Sequence, residues 1–228
     1  MKSTLPPIAI AACLLAISPS YAGSSHPVPR AEPLDIEMFY QFSATDEDAE
    51  VTIGIESPDN PIDHLVIVAP GGRTVATVLS KDHLGLAEVE LESAEPSVDE
   101  VKRAYPQGRY WFWGKSVDGT GLFGRVDLTH DVVGAPDFFL FSPCDEEVDA
   151  GAAVAIAWNP VVGAEGGYEI IIEQDDTGAN LRVTQRADRT SFVIPEGFLA
   201  PGLEYEIEMK SVTAGGNKTS ASCEFSTQ

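Results

Sequence analysis

Short runs in which every second residue is apolar, each closed by turn-forming residues, recur along most of this chain and leave room for little besides β-sheet. Ile36, Met38, Tyr40 and Phe42 alternate with polar neighbours, and Val51, Ile53 and Ile55 repeat the pattern. A period of two sends successive side chains to opposite faces, so each run can bury one face and wet the other. Ser57-Pro58-Asp59-Asn60-Pro61 is a turn cluster. Leu65-Val66-Ile67-Val68 follows as a continuous apolar run ended by Pro70-Gly71-Gly72, and β character resumes at residues 75–79 and at Leu86, Val89 and Leu91. Strands of this length and spacing predict sandwiches or barrels.

One short helix interrupts them. Ser97-Val98-Asp99-Glu100 has the form of a capping box, in which the serine and glutamate satisfy amides that a helix start leaves free. It leads into residues 101–104 and stops at Pro106-Gln107-Gly108. Residues 109–116 and 122–129 then flank Val117-Asp118-Gly119-Thr120-Gly121, which predicts a β-hairpin. Gly134-Ala135-Pro136 reads as a linker. Beyond it Val154 and Ile156 lead to Trp158, and Tyr168/Ile170/Ile172, Phe192/Ile194, Tyr205/Ile207/Met209 and Cys223/Phe225 mark further strands. No close repeat relates the two halves. The fold class expected is all-β: two β-sandwich domains in tandem, at 34–134 and 136–228, with the single helix in the first.

The second half carries a family likeness. Val154-Ala155-Ile156-Ala157-Trp158-Asn159-Pro160 resembles the second strand of a fibronectin type III domain, with its core tryptophan and proline turn. Leu199-Ala200-Pro201-Gly202-Leu203-Glu204-Tyr205 is similar to that fold's tyrosine corner, and Ala214-Gly215-Gly216-Asn217 to its last hairpin. The resemblance implies an immunoglobulin-like sandwich over 136–228, with Trp158 and Tyr205 as structural markers of its core. In the first half, residues 42–49, 92–97, 117–119 and 128–130 resemble a family of exported bacterial proteins in which a β-domain precedes a fibronectin type III domain. Glu47 stands where that family's pattern has glycine, which puts the conformation of the first loop in question. This likeness implies an architecture and a compartment, and no activity.

Residues 1–22 read as a signal peptide: Lys2 gives a positive start, residues 8–17 an apolar run, and Ser20-Tyr21-Ala22 a small-residue cleavage site. Residues 23–33 are polar and proline-rich, a flexible leader. Ile10-Ala11-Ala12-Cys13 also fits a lipoprotein cleavage site. The residues before Cys13 are too few and those after it too greasy for lipid anchoring to be the expected outcome. No segment approaches the roughly 20 apolar residues of a membrane helix. Cleavage after Ala22 would remove Cys13 and leave Cys144 and Cys223. An even count in an oxidising compartment predicts a disulfide, the alternative being two free, partly buried thiols. The formal net charge of −22 is spread along the chain and argues against nucleic acid as a partner, which needs clustered lysine and arginine.

No GxSxG, HExxH, phosphate-loop or CxxC pattern occurs, and His26, His64, His83 and His130 are scattered, so no catalytic residues and no enzyme are expected. Asp46, Glu47, Asp48 and Glu50 form the densest acidic cluster. Calcium at Asp46 and Asp48 is the single cofactor candidate, although neither EF-hand nor repeat spacing is present and a solvated acidic turn is the expected reading. Tyr110-Trp111-Phe112-Trp113 is the strongest aromatic feature and the candidate binding site. On a strand, Tyr110 and Phe112 face one way while Trp111 and Trp113 face the other. One face must be core. The other either stacks on sugars or grips a protein, or, as the commoner arrangement, lies covered by the helix or the neighbouring domain. The function expected is an exported, non-catalytic binding or structural protein contacting protein or polysaccharide. The alternatives are a hydrolase with an unrecognised site and a calcium-stabilised surface or matrix protein. Asn217-Lys218-Thr219 matches a glycosylation sequon and reads as a hairpin turn.

Overall fold

A computed structural model describes residues 31–57, 59–81, 84–138 and 142–228. The signal peptide expected at 1–22, with Cys13, lies outside the described residues, as do His26 and His83. The first part of the chain runs β1 (Glu32–Pro33), β2 (Asp35–Ser43), β3 (Ala49–Glu56), β4 (Ile62–Val68), β5 (Thr74–Leu79), β6 (Glu88–Glu92), α1 (Val98–Ala104), β7 (Gly108–Ser116) and β8 (Gly121–Leu128). The second part runs β9 (Glu147–Val148), β10 (Ala155–Ala157), β11 (Gly167–Gln174), β12 (Ala179–Gln185), β13 (Ser191–Val193), β14 (Glu204–Val212) and β15 (Lys218–Thr227).

The first part is a sandwich. A five-stranded sheet, in the order β1-β8-β7-β4-β5, packs against β2, β3 and β6. The period-two residues supply the core between them. Met38 and Tyr40 of β2 and Val51, Ile53 and Ile55 of β3 meet Leu65 and Ile67 of β4 and Tyr110 and Phe112 of β7. Each such side chain taken out of water contributes about 1.5–3 kcal/mol. The helix caps this core. The Glu100 carboxylate accepts hydrogen bonds from the Ser97 backbone amide at 3.3 Å and the Ser97 hydroxyl at 2.7 Å, and Val101 is buried. The hairpin forms as the turn residues require. Asp118 accepts from the Thr120 amide at 2.9 Å, and Gly119 adopts φ 88°, where a side chain would be strained.

The second part is the immunoglobulin-like sandwich that its resemblance implies. The sheet β12-β11-β14-β15 faces the pair β10-β13. Trp158 is buried and sits edge-on to Tyr168, with ring centroids 5.2 Å apart. The Tyr205 hydroxyl accepts from the Ala200 amide at 2.9 Å, closing the tyrosine corner. Cys144 and Cys223 are joined as a disulfide across 5.5 Å between Cα atoms, tying β15 to the segment that leads into β9. Strand β12 has no counterpart in the sequence reading: Leu181 and Val183 point inward, but each is only partly buried, so their alternation is short and weak.

The two parts share a sheet. Lys218, Thr219 and Ser220 at the start of β15 pair in parallel with Gln41, Phe42 and Ser43 of β2, while the end of β15 pairs with β9. One eight-stranded sheet results, ordered β12-β11-β14-β15-β2-β3-β6, with β9 alongside β15. Asn217 fixes the seam. It is 3% exposed; its Oδ1 accepts the Tyr40 amide at 3.0 Å, and its Nδ2 lies 2.8 Å from Thr129 Oγ1, 2.9 Å from the Asp131 carbonyl and 3.1 Å from the Thr129 carbonyl. A glycan has no access to this amide in the folded chain. The sequon is a turn, as expected, and the turn is also the clasp between the two cores.

Candidate recognition face

The outer surface of the five-stranded sheet holds the aromatic feature. Strand β7 pairs with β8 so that Trp111 lies beside Arg125 and Trp113 beside Phe123. All four project from the side opposite the core, because Tyr110 and Phe112 between them are fully buried. The Trp111 and Trp113 rings are 6.2 Å apart and inclined by only 20°. Phe123 closes the group at 4.6 Å from Trp113 and 5.8 Å from Trp111. Trp113 remains 52% exposed and Trp111 is half-buried. Neither the helix nor the second sandwich covers the trio. The helix packs instead against β3, and the second sandwich joins the edge of β2, so both are occupied elsewhere.

Tyr110 does not belong to this face. It is 0% exposed, and its hydroxyl donates to the Pro106 carbonyl at 3.0 Å, with burial raising its pKa to about 12. The alternation that exposes Trp111 and Trp113 necessarily turns Tyr110 inward, so it is a core residue and no binding residue. In its place, the structure adds Phe123 and Arg125 from β8. The inward run of Leu122, Gly124, Val126 and Leu128 carries the signal for them, since the residues between must face out beside the tryptophans.

Charge borders the aromatic group. Arg109 makes a two-pronged contact with Asp127, through Nε at 2.9 Å and a terminal nitrogen at 2.8 Å, and this holds the Asp127 carboxyl below the usual carboxylate range. Lys115 pairs with Asp63 at 2.7 Å. The Arg125 side chain is exposed and has no hydrogen bond or ion pair among the described residues; its charge reaches Asp127, which Arg109 already holds.

The other candidates are accounted for locally. Asp46 is exposed and accepts from the Ser43 hydroxyl at 2.8 Å, while Asp48, half-buried, forms an isolated bridge with Ser97. No group of three or more potential metal ligands comes together among the described residues. Glu47 between them has φ 60°, the left-handed conformation that favours glycine. His64 lies on β4. A ring nitrogen of His130 lies 2.8 Å from the Tyr105 carbonyl, and the ring packs 5.0 Å from Tyr40. At the seam, Lys210 is 8% exposed, with its ammonium 3.1 Å from Glu208 and 3.0 Å from Gln41. Lys218 pairs with Glu169 at 2.8 Å and sits 4.0 Å over the Phe39 ring. Both cations are engaged in holding strands together.

Fold and surface together define an all-β protein of two sandwiches joined edge to edge, with an aromatic face that the described residues leave uncovered. No family model and no curated protein matches the sequence. Among solved structures, the chain is similar to a two-fibronectin type III segment of chicken tenascin, at 16% identity over 83% of this chain and 96% of that one, with TM-score 0.31. It is also similar to the FN1–FN3 domains of chicken CNTN1, at 14% identity over 87% of this chain and 68% of that one, with TM-score 0.34. The BSP domain of a biofilm-associated protein aligns at 13% identity over 86% of this chain and 29% of that one, with TM-score 0.28.

Proposed function

We propose that this chain is an exported, non-catalytic recognition protein that binds polysaccharide through the outer face of β7 and β8. The observation that carries the reading is Trp113, half in solvent yet braced by Trp111 and Phe123 on a strand anchored by Tyr110 and Phe112. Indole rings cover the apolar C–H faces of pyranoses, and a grouped, uncovered aromatic surface is characteristic of contact sites. Along β7 the rings are bordered by Arg109–Asp127 and Lys115–Asp63, with Val66 and Val68 of β4 beside the tryptophans, so groups able to hydrogen-bond sugar hydroxyls stand at both ends of the platform. Export is supported by the signal-like residues 1–22 and by the Cys144–Cys223 disulfide, which an oxidising compartment would preserve. Among the described residues no helix is long and apolar enough to cross a membrane. A non-catalytic role is supported by His130, whose ring is engaged by the Tyr105 carbonyl and packs against Tyr40.

The test is affinity electrophoresis of the secreted chain through gels containing hydroxyethylcellulose, xylan, methyl-esterified polygalacturonate or polygalacturonate. At least one polymer should retard the wild type, and Trp113→Ala should weaken that retardation about tenfold, the loss of one stacked ring. Migration unchanged by every polymer, or an equal retardation of W113A, would refute the reading.

A further inference from the structure

We infer that Arg125 makes this face selective for polysaccharides bearing carboxylates, that is, uronate polymers; the inference rests on the reading of Trp111, Trp113 and Phe123 as a sugar platform. Arg125 is the cross-strand neighbour of Trp111 on β8, and Phe123, two residues along, is the neighbour of Trp113. Directly opposed residues in an antiparallel pair have Cβ atoms about 4.5–5.5 Å apart, so the guanidinium stands within one sugar's reach of the indole. A pyranose lying on the rings would present its ring substituents at the border where Arg125 stands. A planar guanidinium fork matches a carboxylate in two parallel hydrogen bonds. The fork is free to do so. Arg109 and Lys115 are held by Asp127 and Asp63, while Arg125 has no such partner.

The charge of the whole molecule points the same way. The chain is strongly acidic, but its acid is uneven across the fold. The outward positions of the eight-stranded sheet are glutamate-rich, with Glu50, Glu90 and Glu92 on β3 and β6 and Glu204, Glu206 and Glu224 on β14 and β15, although the ion-paired Lys210 and Lys218 stand among them. Glu206 stands directly opposite Glu224, and the Glu224 carboxyl is pushed up, chiefly by the Glu204 charge. In the first sandwich that surface lies on the side opposite the aromatic strip. On the strip itself Arg109, Lys115 and Arg125 stand against Asp63 and Asp127. An anionic polymer would be repelled from one side and admitted at the other, which orients its approach.

The experiment compares polygalacturonate with its fully methyl-esterified form, which keeps the same pyranose backbone and removes the charge, by isothermal titration of the secreted chain at low salt. Alginate serves as a second polyuronate and a thymidine 20-mer as a polyanion without pyranose rings or carboxylates. The wild type should bind polygalacturonate at least about tenfold tighter than the ester, the contribution of a charge-assisted pair. Arg125→Gln should bind the two alike, Arg125→Lys should fall between, and Trp113→Ala should lose both. Both sites are exposed, and unchanged melting curves will establish that the three variants are folded. Equal wild-type affinity for acid and ester, with W113A losing both, would overturn the selectivity and leave the platform standing. Binding of neither uronate by the wild type, while xylan or hydroxyethylcellulose is bound through Trp113, would have the same meaning. No binding of any sugar polymer would overturn both readings. Tighter, Trp113-dependent binding of the thymidine 20-mer than of the uronates would replace the sugar by a single-stranded nucleic acid.

Discussion

Replacing Asn217 with alanine should cost the protein about 4 kcal/mol, far more than a turn residue ordinarily contributes. The Asn217 amide has two protons and three acceptors within 3.1 Å, so it makes two full donor bonds, while its oxygen accepts the Tyr40 amide. Three such bonds contribute about 1 kcal/mol each in net terms. Truncation also strands the Tyr40 N–H, which belongs to a residue 1% exposed, and a buried donor without a partner adds about 1 kcal/mol or more. Against a typical total of 5–15 kcal/mol that loss is large. Equilibrium urea unfolding followed by far-ultraviolet circular dichroism should show the midpoint falling by about 1.5 M, for a slope of about 2.5 kcal/mol/M. Asn217→Asp, which keeps an acceptor for Tyr40 but brings a carboxylate against two carbonyls, should be at least as harmful. A double-mutant cycle with Thr129→Ala should recover about 1 kcal/mol of coupling for the amide–hydroxyl bond. A loss below about 1 kcal/mol for N217A would refute the reasoning, because it would mean that water replaces all three bonds and that the seam is not held at this turn.

Further outcomes follow from the same structure. Removing the disulfide by a paired Cys144→Ser and Cys223→Ser change opens a loop of sequence separation 79, for which chain entropy gives about 4.5 kcal/mol; urea midpoints of the wild type and the paired variant measure it, and a loss under about 1 kcal/mol would deny the bond a stabilising role. Glu47→Gly relieves a left-handed φ of 60° and should raise stability by about 1 kcal/mol, whereas Glu47→Ala should not. The Glu50 carboxyl is raised above 4.5, first by burial and then by Glu92 and Glu95, with Lys210 opposing. Its protonated form therefore favours the fold below that pH, and the contribution is lost as pH climbs through the raised value; Glu50→Gln should flatten this part of a melting-temperature profile, and an unchanged slope would contradict it. Calcium and chelator should leave the melting midpoint unmoved, since Asp46 is engaged by Ser43 and no group of three potential ligands gathers there among the described residues; an upward shift with calcium would revive the acidic loop as a site.

What could be read from the sequence was whatever depends on near neighbours along the chain. Alternation placed Met38, Tyr40, Val51 and Ile53 in one core, and the corner residues 199–205 announced a hydroxyl-to-backbone bond that forms between Tyr205 and Ala200. The capping box at Ser97 and Glu100 is equally local. Long-range pairing was not legible. Nothing in Gln41-Phe42-Ser43 or Lys218-Thr219-Ser220 marks them as parallel partners, because the seam is polar and its specificity lies in one asparagine 177 positions from the amide it binds. The aromatic strip was legible in half. Alternation along β7 separated Trp111 and Trp113 from Tyr110, but whether that side was covered depended on where the helix and the second sandwich went. Phe123 and Arg125 joined it only through the hairpin register.

The shared sheet gives the molecule two unlike sides. Because β15 extends β2 in the plane of the sheet, the second sandwich adds to the edge of the first and leaves the opposing five-stranded layer untouched. Had it docked face to face, as hydrophobic burial alone would favour, Trp113 would be its obvious target, and the acidic positions of β14 and β15 would be divided from those of β3 and β6. Edge-to-edge joining instead gathers the glutamates on one continuous surface and keeps the aromatic strip, with its arginines, in solvent on the other. The orientation therefore hangs on the seam. Asn217, Lys210 and Lys218, none of which touches the aromatic strip, are the residues that keep it open, and their loss should reduce binding only to the extent that it lets the two sandwiches collapse together.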